Sequence, residues 1–487
     1  MDQLTQLVDS LTADDLLAIE REVKDYALAK GIAFKLANSP PDTVSLAPLT
    51  LFPSPFPRKH FDFGHRLQPL VNAVSHKIAY DHGFLADSLA KTVQVDDFTA
   101  KMFDVYTQVR REGMAQTTSL GLFRADYMLD ERPDGGGGYD LKQVEVNNIS
   151  TSFCGLAPAV RDVHRHVLAK YGASADIGDL DKRLPINRST ELMAAGLIKA
   201  YDYYNRSSAV ILVVVEQVVV NIFDQRAIEF TVSRSRPDIR LIRRTFAQLR
   251  DAVRLGNNRE LIVDNKHEVA VVYYRTAYAP QDYAGDQDWD VRLLMERSRA
   301  VKCPSIQYHL TGCKKIQQIV SNRQVVEKFV ADRRDVDDLM QVFAGLWGLE
   351  SGPDGDQAID MALGEPNRFV LKPQREGGGY NYFGGQLARK LDEIRHTKER
   401  ESYILMELIR PPKVPNHILA PNKSLAANSF RPSNITCEFG VFGTVMGNAD
   451  EIILNSEAGH LIRSKTYGTN EGGVAAGFGA LDSPYLY

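Results

Sequence analysis

Apolar and polar positions change rhythm along this chain. The first 130 residues are spaced for helices, and the stretch predicts a mainly helical segment broken by the proline-rich loop 51–58. Its start is acidic and amphipathic and predicts one or two surface helices, with Thr12 or Asp14 as caps. Tyr127-Met128-Leu129, a run of four glycines (Gly135–Gly138) and Leu141-Lys142-Gln143-Val144-Glu145-Val146-Asn147 then predict a hairpin. From Ala209 to Val215 the chain is continuously apolar and β-branched, as a strand buried on both faces requires. A helix over 223–229 and strands over 239–242 and 269–274 complete a small parallel α/β unit. Further on, 325–350 predicts helix and 351–357 an exposed acidic loop. Phe369–Lys372 and Tyr403–Met406 predict strands.

Composition narrows the class. A chain of 487 residues is long for one core, and 44% hydrophobic with 25% charged residues describes a soluble globular protein of two or three domains. The net charge, 58 − 62 = −4, argues against a nucleic acid or anionic membrane as the main partner. No apolar run is long enough to span a bilayer, and the N-terminus lacks the marks of a signal peptide. Cys154, Cys303, Cys313 and Cys437 form no CxxC and stand apart from histidines, so they read as reduced thiols in a cytoplasmic protein.

The candidate chemistry gathers at a few points. Lys372-Pro373-Gln374-Arg375-Glu376-Gly377-Gly378-Gly379 delivers a lysine, an arginine and a glutamate into three glycines. Backbone N–H groups of such a loop can close around an anion, the lysine can neutralise phosphate, and Glu376 can hold a divalent cation. The spacing is neither a P-loop nor a Rossmann fingerprint. Glu145 and Asn147 leave one face of a strand and suit a hard cation, although a solvated edge strand gives the same pattern. Ser150 and Ser152 are placed either to bind a substrate carboxylate or to cap the helix beginning near Ala157. Asn221, Gln225, Arg275 and Tyr278 lie just past two strand ends, where parallel sheets bind ligands. Arg463-Ser464-Lys465 precedes a second glycine-rich loop, 471–477.

With these motifs in order, the chain resembles the eukaryotic-type glutathione synthetase family of ATP-grasp ligases over nearly its whole length. The resemblance rests on Leu122–Met128, Lys142–Asn147, Asn221–Glu229, Cys303–Lys315, Lys372–Gly379 and Gly472–Gly477. It implies an α/β ATP-grasp fold with glycine-rich lid loops and an inserted parallel α/β substrate-binding domain. The corresponding boundaries are 1–208, 209–315 and 316–487. It implies ligation of γ-glutamylcysteine to glycine through an acyl phosphate, with ATP and magnesium, in a homodimer.

Position by position, Glu145, Asn147 and Glu376 resemble the magnesium ligands. Lys314 and Lys372 resemble the phosphate lysines, with Gly377, Gly378 and Gly379 as the lid and Asn381 beside it. Met406, Glu407, Leu408 and Ile409 resemble the adenine strand, Glu438 a ribose-side contact and Lys465 a further ATP contact. Arg124 resembles the residue that holds the reacting carboxylate. Ser150, Ser152, Asn221, Gln225, Arg275 and Tyr278 match the dipeptide positions, and Arg463, Val474 and Ala475 the glycine side.

Two positions depart from the family pattern. Val219 stands where a glutamate is expected to meet the dipeptide's amino group, with Glu216 nearby, and Phe383 stands where a tyrosine is usual. Two alternatives stand beside this reading: a ligase that takes β-alanine or serine as its amine, and a nucleotide-binding protein that does not catalyse, for which Val219 is the only support.

Overall fold

The computed structural model describes every residue except 1, 41, 133–137, 173–177, 375–379, 429, 470–472, 475, 476 and 478. One strand organises it. β1 (Ser119–Glu131) lies against two neighbours in turn along one edge. At Ser119 it runs parallel to a short strand at Val301–Cys303, and from Arg124 onward it pairs antiparallel with β2 (Tyr139–Asn147). Two further strands, β3 (Val210–Val214) and β4 (Arg240–Arg244), pair in parallel. β3 also pairs in parallel with β5 (His267–Tyr274), and β5 with β6 (Val301–Cys303), so the parallel unit runs into β1.

Beyond these lies a second sheet of four antiparallel strands: β7 (Leu346–Gly348), β8 (Phe369–Pro373), β9 (Tyr382–Phe383) and β10 (Tyr403–Glu407). The other edge of β1 pairs along its length with β11 (Ser433–Gly447). β11 forms a long hairpin with β12 (Ile452–Thr466), and β13 (Ala480–Asp482) follows β12. One continuous sheet therefore has a parallel half and an antiparallel half, joined at β1.

The predicted parallel unit is observed, with its helix extended to Ile222–Ser235. Thr12 caps the helix Ala13–Ala29 by a capping box with Asp15. Other expectations fail for local reasons. Residues 346–348 are a strand, not helix, because β10 is available to pair with them. The acidic loop expected at 351–357 is instead the start of a helix, Pro353–Gly364. Pro353 at its first turn and Asp354 and Asp356 against the helix dipole explain the composition. The first 130 residues hold short strands as well as helices, and β1 begins eight residues before the expected strand. Its residues 119–127 are all buried, so no alternation marks it. The long β11–β12 hairpin carries many buried polar residues (Thr436, Thr444, His460, Ser464) and gave no hydrophobic signal.

Candidate active site

Adjacent strands place five charged groups and an amide close together. On β1, Arg124 and Asp126 are two apart and share a face; on β2, Asn147 and Glu145 lie opposite them in register. Asp126, fully buried, is the hub. Its carboxylate accepts from Arg124 Nε (2.6 Å) and Nη2 (2.8 Å), from Asn147 Nδ2 (2.9 Å) and from Arg463 Nη2 (3.0 Å). Arg463, on β12, also pairs with Glu438 directly opposite on β11. Burial disfavours the Arg463 charge, but Glu438 and Asp126 outweigh it and raise its pKa. Gly440 lies between these groups. A Cβ there would come within 2.8 Å of Asp126 Oδ1 and 2.9 Å of Arg124 Cδ, so the strand approaches this closely only as glycine.

Glu145 joins this face to the second sheet. Its Oε2 accepts from Lys314 Nζ at 2.6 Å. Burial alone would raise the carboxyl, but the charges of Lys314 and Lys372 hold it well below the usual carboxylate range. Lys372, at the exit of β8, donates to the Val144 carbonyl of β2 (3.2 Å). Burial, with Lys314 and Lys465 as further like charges, brings its pKa down to about 8. Lys314 and Lys372 beside Glu145, with Lys465 acting on Lys372, make a field that favours a polyanion such as a triphosphate. Met406 on β10 is buried, Glu407 forms an ion pair with Arg368 (3.5 Å), and Leu408 is exposed and donates its N–H to the Arg368 carbonyl (2.7 Å). Ile409 and Asn381 are partly exposed.

The dipeptide candidates meet at the carboxyl ends of β3 and β5. Arg275 Nη1 donates to the Thr151 carbonyl (2.6 Å) and Nη2 to Ser152 Oγ (3.2 Å). Asn221 Nδ2 donates to the same serine (3.3 Å), and Gln225 Nε2 to Asn221 Oδ1 (3.1 Å). Ser150 Oγ donates to the carbonyls of Tyr274 (3.3 Å) and Thr276 (3.4 Å). The helix Ala157–Tyr171 has no side-chain cap, so neither serine serves it. Ser150 (φ 50°), Phe153 (φ 75°) and Ala277 (φ 78°) are all left-handed without being glycine, a cluster of strained backbone of the kind found at binding sites. Arg124 links the two groups of residues, since its Nη1 also donates to the Ser152 carbonyl (3.2 Å).

Three groups escaped the sequence reading. Asp126 lies inside a matched motif but was not singled out. Asp224 accepts from the N–H groups of Phe153 and Gly155 (2.8 Å each) and pairs with Arg275 at 3.5 Å, which fixes the strained loop. Arg243, at the end of β4, donates to Gln225 Oε1 (2.7 Å) and so sets the direction of that amide. A charged residue near a strand's end gives no sign in sequence of which neighbouring side chain it will hold.

Glu145 and the Asn147 amide oxygen, which accepts no hydrogen bond among the described residues, are hard oxygen donors that fit a divalent cation. Glu376, the third proposed ligand, lies outside the described residues, as do Gly377, Gly378, Gly379 and Ala475. Val474 is buried in the hydrophobic core, so its side chain serves packing and only its backbone can face a ligand.

Comparison with known proteins shows the family. The family model for the eukaryotic glutathione synthase ATP-binding domain matches residues 13–486. The chain is 40% identical to a glutathione synthetase of Homo sapiens over 470 residues, 96% of each chain. It is 39% identical to a chloroplastic glutathione synthetase of Arabidopsis thaliana over 456 residues, covering 93% of this chain and 81% of that one. Among solved structures, a glutathione synthetase-like effector of Globodera pallida in its apo form superposes with a TM-score of 0.78 at 26% identity, over 98% of both chains.

Proposed function

The chain belongs to the eukaryotic glutathione synthase family, and we propose that it joins γ-glutamylcysteine to glycine at the expense of ATP through an acyl phosphate. The observation that carries this reading is the continuous polar network from Lys372 and Lys314 through Glu145, Asn147 and Asp126 to Arg124 and Ser152. It leads from a polyanion site to a carboxylate-binding site in a few hydrogen bonds.

A carboxylate is a poor electrophile because its leaving group would be oxide. The γ-phosphate of ATP supplies a good leaving group, and the enzyme's part is positioning and charge neutralisation. In this reading Arg124 holds the cysteinyl carboxylate as it attacks the γ-phosphorus. Asp126 keeps Arg124 aimed, and Lys314 and Lys372 bind the phosphates. Glu145, Asn147 and Glu376 would hold magnesium, which would supply positive charge to neutralise the phosphates. Arg463, opposite Arg124 across Asp126, faces the incoming glycine and the negative oxygen of the tetrahedral intermediate. Residues 209–315 serve as the substrate-binding unit. No nucleophilic side chain is required.

Among the described residues no helix is long and apolar enough to cross a membrane. We assign the protein small-molecule substrates and a homodimeric state on the strength of the family, and the cytoplasm on its four free cysteines, since the family itself spans compartments.

Coupled ADP release by the purified protein with ATP, magnesium and γ-glutamylcysteine tests the activity. Turnover is expected only when glycine is added, with β-alanine or serine slower. Nucleotide binding without turnover on any amine would overturn the ligase reading in favour of a non-catalytic binder.

A further inference from the structure

We propose that Glu216 is the anion that receives the ammonium group of the amino-acid substrate. This rests on the reading above of the strand-end network as the dipeptide site.

Glu216 stands two residues past the end of β3, and Tyr278 four residues past the end of β5. These strands pair in parallel with Val214 beside Tyr274, so both residues emerge at one edge of the sheet. There Tyr278 OH donates to Glu216 Oε1 at 3.0 Å. Among the described residues this is the carboxylate's only hydrogen bond, and none of their cations lies within ion-pair distance. The nearest cation whose charge it feels, Arg275, is committed elsewhere, to Thr151, Tyr273, Ser152 and Asp224.

The alternatives for an ammonium partner are weak. Asp224 is fully buried and holds the 153–155 backbone. Asp282 accepts the N–H groups of Tyr278 (2.9 Å) and Ala279 (3.1 Å), holding the turn that presents the tyrosine. Val219 and Val220 pack on the core, and the Val220 carbonyl is taken by Lys35 N–H (2.9 Å). The segment 218–220 therefore offers no anion, and its backbone is pinned.

A half-buried carboxylate with one neutral donor is an unfavourable arrangement on its own, and burial raises its pKa. A primary ammonium supplies the missing charge and donors. Arg275 Nε, a buried N–H without an acceptor, marks the opposite requirement nearby. The edge thus has an open donor and an open anion, as a zwitterionic amino acid needs. Glu216 here performs the task that family resemblance would have given to position 219.

The test compares γ-glutamylcysteine with glutaryl-cysteine, the same molecule lacking the ammonium. Calorimetric binding to wild type and to E216Q is measured with a non-hydrolysable ATP analogue present, alongside turnover. Wild type is expected to bind γ-glutamylcysteine roughly 10- to 100-fold more tightly than glutaryl-cysteine, from the usual worth of hydrogen bonds to charged groups. E216Q should remove most of that preference while leaving glutaryl-cysteine and the ATP analogue unaffected. An undiminished preference in E216Q, equal losses for both ligands, or no dipeptide binding by wild type would each overturn the proposal. Glu216-dependent binding without turnover would overturn only the ligase reading.

Discussion

The two halves of the site solve opposite problems. On the face of β1, β2, β11 and β12, opposite charges are in direct contact: Arg124 and Arg463 on Asp126, Arg463 on Glu438, and Lys314 on Glu145. All of these except Lys314 stand on strands. At the carboxyl edge of β3 and β5, beside the one ion pair of Arg275 with Asp224, recognition is left to hydroxyls on loops, three of whose residues adopt left-handed backbone, to amides at the start of the helix Ile222–Ser235, and to a carboxylate without a counter-charge. Chemistry that develops charge needs groups already held in place, since reorganising them would cost part of the rate. Recognition of a zwitterion needs groups whose partners are still missing. The strand face is therefore self-neutralised and the loop edge is not.

This contrast is broken most severely at Asp126. Asp126→Asn leaves Arg124 without a carboxylate and turns an amide donor toward three other donors. Removing one member of a buried charged cluster costs on the order of 3–5 kcal/mol. Denaturant unfolding should show a loss of about that size, and kcat should fall by ~100-fold or more as Arg124 loses its aim. A variant as stable and active as wild type would mean that the strand face is not organised by this carboxylate.

The loop edge should respond differently. Arg243→Lys keeps a positive charge near Glu229, which Arg226 also neutralises (2.5 Å), but an ammonium cannot reproduce the fork that also reaches Gln225. With Gln225 free to turn, KM for γ-glutamylcysteine should rise about tenfold, the worth of one hydrogen bond, with kcat and the KM for ATP little changed. A matching fall in kcat would erase the distinction between a catalytic face and a recognition edge.

The same contrast explains what could be read in advance. Charged groups beside glycines, and two ligand-type residues two apart on a strand, mark themselves locally, so Glu145, Asn147 and Lys372 were legible, whereas Arg124 was reached only through the family resemblance. The parallel unit was legible too, because β3 is apolar throughout. Asp126 was not, since its role depends on Arg463, more than 300 residues away, reaching it across β11. The β11–β12 hairpin was hidden because its interior is partly polar. Glu216 was read only as a neighbour of position 219 that could stand in for it. That its carboxylate meets Tyr278 follows from the pairing of β3 with β5, and nothing local to residue 216 encodes that pairing.

The smallest effect concerns the lysines, and it separates the two halves by pH. Lys372 has its pKa brought down to about 8 by burial and by Lys314, whereas an unfolded lysine titrates near 10.5. Between these values the unfolded chain binds a proton that the folded one has released, so folding stability from this group rises with pH across that window. Lys302, also brought to about 8 by burial, contributes the same trend from a place away from the site, where it donates to the carbonyls of Glu296 and Ser298. Stability therefore cannot isolate Lys372, but nucleotide binding can. ATP requires the charged lysine, so its affinity should hold below pH 8 and weaken above it, by about eightfold between pH 7.5 and 9 for one proton. The affinity of K372Q should be weaker throughout and flat over that range. Dipeptide binding, which depends on no lysine, should stay level in both. A wild-type ATP affinity that is also flat through pH 9 would mean that Lys372 stays charged in the folded protein, and that Glu145 outweighs the crowding of like charges around it.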